Sequence, residues 1–236
     1  MPQTAELVYE GRELEALADL SNYQDWILRS FAPYLKGWVV EIGAGIGTMT
    51  CLLRPMVDRL VAVEPAVNLL QPLGQRLAGT DIEIVSATAI AYLQSTPPAS
   101  LDAIVMINVL EHIADDQEVL CACYRALSPG GHLLLFVPAL PALFSALDRR
   151  FGHFRRYRRV DLKAKLLAAG FSIGSLAYFD LLGAPAWWLV YRIFRATRIP
   201  TGSARTYDRF VVPLTRAIER IVRPPFGKNL IVAARV

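Results

Sequence analysis

The chain has 236 residues, 54% of them hydrophobic and 19% charged. That length and apolar content suit one sizeable core and exclude both a disordered chain and two comfortable domains. Cys51, Cys121 and Cys123 are odd in number and lack metal-site spacing, so neither a zinc site nor a disulfide framework is expected, and a reduced, cytoplasmic compartment is. The start, Met1 to Glu15, is acidic and lacks the basic n-region and apolar run of a signal peptide. Charge is lopsided: residues 1–120 hold 6 Lys+Arg and 16 Asp+Glu, whereas residues 121–236 hold 19 and 5. An arginine-rich second half suits an anionic partner or simply solvated helix faces.

Glu13 to Leu35 reads as a helix, with Leu14, Leu17, Leu20, Tyr23, Trp26, Ile27 and Phe31 near a 3.6-residue period. It precedes the first strand, so Tyr23 and Trp26 are candidates to cover a ligand, or to pack. Trp38 to Ile42 is a buried strand, and Gly43, Ala44, Gly45 and Gly47 form a tight turn where backbone can approach a ligand. Thr48 is placed to cap the following helix, whose N–H groups face back over the loop. The spacing is Gly-x-Gly-x-Gly, with Glu41 two residues before it. That carboxylate would repel a pyrophosphate and favour a cationic ligand.

Arg59 to Val63 is a second strand ending in Glu64-Pro65, where a carboxylate is positioned for a ribose diol. Asp81 to Val85 is the third strand, followed by Ser86-Ala87-Thr88. Leu101 to Ile107 is the fourth and leads into Asn108-Val109-Leu110-Glu111-His112. Leu127-Ser-Pro-Gly-Gly131 reads as a turn opening the fifth strand, His132 to Val137.

In this order the motifs resemble the class I S-adenosylmethionine-dependent methyltransferase superfamily: glycine loop, Glu64, the "NVLEH" loop and the "LSPGG" turn, over residues 38–138. The resemblance implies S-adenosylmethionine as cofactor. Its contacts would come from Glu41 near the methionyl end, Gly43, Ala44, Gly45, Gly47, Thr48, Glu64, Pro65, Ala87, Thr88, Asn108 and Val109. An Asp that many members place near residue 86 for the adenine amino group is missing. The implied fold is α/β, a Rossmann-like doubly wound sheet of seven strands in the order 3-2-1-4-5-7-6, the last antiparallel. The whole of 1–236 is expected to be one domain: cover helix 1–37, cofactor core 38–138, lid 139–159, and a C-terminal part 160–236 with a helical insertion at 181–225.

The lid carries "GHFRRY" in Asp148 to Arg159. With "LSNYQDW" and the Pro-Pro-Phe-Gly-Lys-Asn-Leu ending, it is similar to a bacterial type 11/12-like subgroup, members of which often sit beside glycosyltransferases. This implies a sugar-containing or otherwise anionic small-molecule acceptor, free or lipid-linked, and no nucleic acid. A second function, as a cofactor-binding scaffold without transfer, fits the same cofactor motifs.

Methyl transfer from a sulfonium is an in-line displacement that mainly requires alignment, and a hydroxyl acceptor also needs a base. His153 in the lid is the first candidate base and His112 the second, while His132 opens a buried strand and reads as structural. Arg155, Arg156, Arg158 and Arg159 around Tyr157 form the expected anion patch; Arg155, Arg156 and Tyr157, together with Tyr23 and Trp26, are the expected substrate contacts. Some superfamily members, ubiquinone-pathway enzymes among them, bind a divalent ion through Glu-x-x-Glu-His. Here Asn108 replaces the first carboxylate, and no metal is expected. The insertion reads as helices over 185–197 and 203–222. The run 185–198 mixes Trp187, Trp188, Leu189, Ile193 and Phe194 with arginines, which suits a peripheral contact at the inner face of a membrane. It equally suits a dimer contact or an edge helix.

Overall fold

The structure, a computed structural model, describes residues 7–9, 19–196 and 201–236. Seven strands form one sheet in the order β3-β2-β1-β4-β5-β7-β6. They are β1 Trp38–Ile42, β2 Arg59–Val63, β3 Glu83–Val85, β4 Leu101–Ile107, β5 Leu127–Pro138, β6 Ser172–Phe179 and β7 Asn229–Arg235. β7 runs antiparallel between β5 and β6, and the remaining neighbours are parallel.

Strand alternation divides the core between the two faces of the sheet. Val40, Ile42, Ile104, Met106, Leu133 and Leu135 pack with Leu93, Leu120 and Leu162 on one side. Val39, Val105, Leu134 and Phe136 pack with Trp26, Ile27, Phe31 and Leu53 on the other. The helices supplying these side chains are α1 Ser21–Phe31, α2 Thr48–Leu53, α4 Ala89–Ser95, α5 Asp116–Ala126 and α7 Arg159–Ala168. α3, Val67–Arg76, follows β2, and the short α6, Ala146–Arg150, lies in the lid.

Several expected boundaries move. The cover helix is α1 followed by a 3-10 turn at Ala32–Tyr34, and residues 13–18 of the helix expected over 13–35 lie outside the described residues. β3 is shorter than 81–85. The Leu127 to Gly131 stretch is not a free turn: Leu127 pairs with Leu101, and a register shift before Ala103 absorbs the extra residues. The insertion begins with α8 Gly183–Trp187, which passes into a π-helical turn at Trp188–Ile193. It resumes as α9 Thr201–Thr206, a second π turn at Tyr207–Val211 and α10 Val212–Ile221.

Candidate active site

The carboxyl ends of β1, β2 and β4 meet at the glycine loop. Gly43 and Ala44 donate their N–H groups to the Val63 carbonyl at 2.8 and 3.1 Å, which pulls the loop across the end of β2. Gly43 has φ +77°, and a Cβ there would lie 2.4 Å from Val109 Cγ2, so only glycine fits between the β1 and β4 loops. Gly47, at φ +81°, occupies the N-cap position of α2; Thr48 is the first helical residue and makes no cap. The Thr48 hydroxyl instead accepts from Arg76 at 3.1 Å.

Two buried carboxylates line this edge. Glu41 is buried and accepts from the Thr50 hydroxyl at 2.5 Å, and burial pushes its pKa up to about 8. Glu64 is also raised by burial, against the pull of two backbone donors: Gly45 N–H at 2.7 Å and Ala66 N–H at 2.8 Å. One of its oxygens serves each loop, and each oxygen keeps a lone pair for a further donor. Pro65 follows, half-buried. Thr88 accepts from Ala91 N–H at 3.3 Å as the N-cap of α4, so its hydroxyl already serves the helix beside Ala87.

Beyond β4, β5 and β6 the chain turns through non-glycine residues with positive φ: Asn108 (+53°), Leu140 (+59°) and Asp180 (+63°). Such conformations cost about 1–3 kcal/mol each and cluster at functional edges. Asn108 is exposed there, beside Val109. Glu111 and His112 follow in a 3-10 turn. The lid returns to this turn, with Phe154 N–H donating to the Glu111 carbonyl at 2.9 Å. This places His153 against His112, ring centroids 4.6 Å apart and edge-on. Ligand atoms of Glu111, His112 and His153 all lie within 4.8 Å of one another. The Glu111 carboxylate is buried with no hydrogen-bond partner among the described residues and is pushed up to about 8 by burial. His112 is pushed down to about 4, first by burial and then by His153.

His153 Nδ1 lies 3.2 Å from Asp148 Oδ1, and its Nε2 lies 3.9 Å from Glu111. Asp148 is fully buried. Burial alone would raise its pKa, yet the His153 contact, Arg156 and Ser145 together hold it low. Ser145 donates both its N–H and its hydroxyl to Asp148 at 2.8 Å, and Arg156 Nε donates at 2.7 Å.

The expected anion patch is largely turned inward. Arg156 is buried between Asp148 and the Trp187 ring, 4.6 Å from its centroid. Tyr157 is buried and donates to Asp116 at 2.9 Å. Arg155 reaches Asp116 at 2.8 Å and the Ala114 carbonyl at 2.7 Å. Their forks and hydroxyl are already satisfied, so these three hold the lid in place instead of presenting charge to a ligand. Tyr23 and Trp26 are engaged with residues of β5, β6 and β7. Tyr23 donates toward Asp180 and Asn229 at 3.2 and 3.1 Å, and Trp26 stacks on Phe179 at 3.8 Å. Asp148, Asp116, Thr50 and Asp180 were not singled out by sequence reasoning. Only Ser145-x-x-Asp148 left a local signal, the spacing of a capping box.

A family model described as a methyltransferase domain matches residues 40–135, the stretch that holds the glycine loop, Glu64 and the Glu111-His112 turn. The match places a methyltransferase domain in residues 40–135, and the fold is that of class I S-adenosylmethionine-dependent methyltransferases. A solved S-adenosylmethionine-dependent methyltransferase from Archaeoglobus fulgidus superposes with a TM-score of 0.63 at 18% identity, covering 95% of this chain and 97% of that one. Among curated proteins, a ubiquinone biosynthesis O-methyltransferase of Pseudomonas putida is 31% identical over 61% of this chain and 66% of its own length. A probable S-adenosylmethionine-dependent methyltransferase of Mycolicibacterium smegmatis is 26% identical over 57% and 52%. The chain thus spans between half and two thirds of these relatives. S-adenosylmethionine is the cofactor of class I methyltransferases, and this edge presents two buried carboxylates, Glu41 and Glu64.

Proposed function

We propose that the protein transfers a methyl group from S-adenosylmethionine to a hydroxyl of a small anionic or sugar-containing acceptor, with His153 as general base. The observation that carries this reading is the His153–Asp148 pair beside the β4 turn. Asp148, kept ionised and fixed by Ser145 and Arg156, accepts a hydrogen bond from His153 Nδ1–H, and that proton stays on the ring. The lone pair is then on Nε2, on the side of Glu111 and His112. The sulfonium brings the activated methyl, while Glu41 and the glycine loop hold the cofactor in line. In this reading Asp148 is a positioning residue and His112, neutral at pH 7, is a second wall of the acceptor site.

The test begins with calorimetric titration of S-adenosylmethionine, S-adenosylhomocysteine and, as control, NAD. Acceptors bearing hydroxyls and phosphates are then screened by release of S-adenosylhomocysteine. His153→Ala should leave cofactor affinity unchanged and slow turnover by roughly 10²–10⁴. Undiminished turnover in that variant removes His153 as base. Cofactor binding without transfer to any acceptor favours a scaffold role.

A second reading of the same cluster is favoured by the unpartnered Glu111 carboxylate: a divalent cation held by Glu111, His112 and His153. Such an ion would acidify the acceptor hydroxyl directly. Saturable magnesium or zinc binding that Glu111→Gln abolishes supports it over the base reading.

A further inference from the structure

Between β6 and β7, residues Gly183 to Phe226 carry eight arginines, no lysine and two acidic residues. Both acids are turned inward. Asp208 is buried and accepts from the N–H groups of Asn22 and Tyr23 at 3.1 and 2.9 Å. Glu219 accepts from Leu181 N–H at 2.7 Å. Arg205 and Arg216 are paired with Asp19 and Asp25. Arg192, Arg195, Arg209, Arg220 and Arg223 are exposed, with no acidic partner among the described residues. The outer surface of the insertion therefore carries one sign of charge.

Large apolar side chains stand among these arginines. Phe210, Leu214 and Ile221 recur at helical spacing, opposite the buried Val212 and Thr215, and are 64%, 56% and 87% exposed. Trp188, Ile193 and Phe194 are exposed on the first helix and its π turn, Phe194 at 71%. Water disfavours so much exposed apolar surface, and patches of this kind mark interaction sites. An apolar protein groove would cover the phenylalanines but leave the guanidinium groups desolvated and unpaired. An anionic bilayer surface meets both: phosphate oxygens for the guanidinium forks and the acyl boundary for Phe, Trp and Ile. No helix among the described residues is long and apolar enough to cross a membrane, so the contact lies in the interface plane.

The insertion is fastened to the active-site edge. Asp180, at the end of β6, accepts from Gly183 N–H at 3.0 Å, from the Tyr207 hydroxyl, and from Lys228 Nζ at 3.0 Å. Trp187 Nε1 donates to Leu143 in the lid at 3.3 Å. We propose that residues 183–226 dock the protein on an anionic lipid surface, which sets the lid beside the headgroup layer. This inference is independent of the transfer chemistry.

The test is flotation of the intact protein with vesicles of phosphatidylcholine alone or with 30% phosphatidylglycerol, at about 50 and 300 mM salt. Binding should require the anionic lipid and weaken with salt. Arg220→Glu/Arg223→Glu should weaken it by roughly fivefold per arginine. Phe194→Ser/Ile221→Ser, both at exposed positions, should weaken it with thermal unfolding unchanged. A folded wild-type protein that ignores anionic vesicles, or binds neutral ones equally, overturns the proposal. So does a stable dimer in light scattering that Ile221→Ser dissociates while vesicles capture nothing.

Discussion

Around the glycine loop the buried carboxylates have no cation beside them among the described residues, whereas under the lid they do. Glu41 and Glu64 are raised by burial and are offset only by a hydroxyl and two backbone N–H groups. Asp116 and Asp148 are equally removed from water, but Lys165, Arg155, Arg156 and His153 hold both below the usual carboxylate range. A buried acid with its counter-charge supplied by the chain is complete as folded. One without it is stable only when neutral, or when a ligand brings the missing charge. On the proposed reading Asp116 and Asp148 are held by the lid's own cations, Asp148 orienting His153 as well, and the loop acids are the ones left to meet a ligand's charge. Glu111 stands at the junction, raised to about 8 although Arg156 is near.

The largest test of this division is Arg156→Met. Removing the guanidinium strands Asp148 in the interior, which should lower stability by about 3–5 kcal/mol. Urea unfolding measures it. A loss below about 1 kcal/mol would mean that the lid tolerates an isolated carboxylate, and the contrast with Glu41 would collapse. Cofactor affinity of the fraction that remains folded should be unchanged.

The same contrast explains what the sequence disclosed. Strands β1, β2 and β4 and the glycine loop are read from residues within about ten positions of each other, because strand burial and glycine turns are local properties. The lid arginines were legible as charge but not as partners. Arg156 finds Asp148 eight residues away, but Tyr157 and Arg155 find Asp116 across some forty positions. Tyr23 is tied to Asp180 and Asn229, more than 150 residues on. Helical periodicity placed Tyr23 on an inward face correctly, but only the antiparallel return of β7 decides what that face meets. Likewise, Thr48 has the chemistry of a cap, and the positive φ of Gly47 moves the cap one residue earlier.

On the loop side, Glu64→Ala should act on affinity. Losing an acceptor for the ribose hydroxyls should weaken S-adenosylmethionine binding by about 1.5–3 kcal/mol. The Gly45 and Ala66 N–H groups also lose their acceptor, so a smaller stability loss accompanies it. Calorimetry on protein shown to be folded separates the two. Unchanged affinity would make Glu64 a loop clasp, alike in kind to Asp148.

The smallest expected effect is the most specific to the proposed division, because it concerns the protonation of Glu41. With its pKa near 8, Glu41 is mostly neutral at pH 7 in the free protein. The cofactor's ammonium and sulfonium favour the anion, so binding at pH 7 should release about one proton. Affinity should then rise by up to about tenfold, or 1.4 kcal/mol, per pH unit toward pH 8. It should crest there, since a free α-amino group loses its own charge above about 7.7–8.0. Stability of the free protein has the opposite sign. The unfolded carboxyl ionises near 4.5 while the folded one stays neutral, so Glu41's contribution is complete below 4.5 and is lost as pH rises through about 8. Titrations in buffers of different ionisation enthalpy read the proton count directly, and Glu41→Gln should abolish the release. No proton release at pH 7 in the wild type would mean that Glu41 does not change its protonation on binding, and that the cation is met elsewhere.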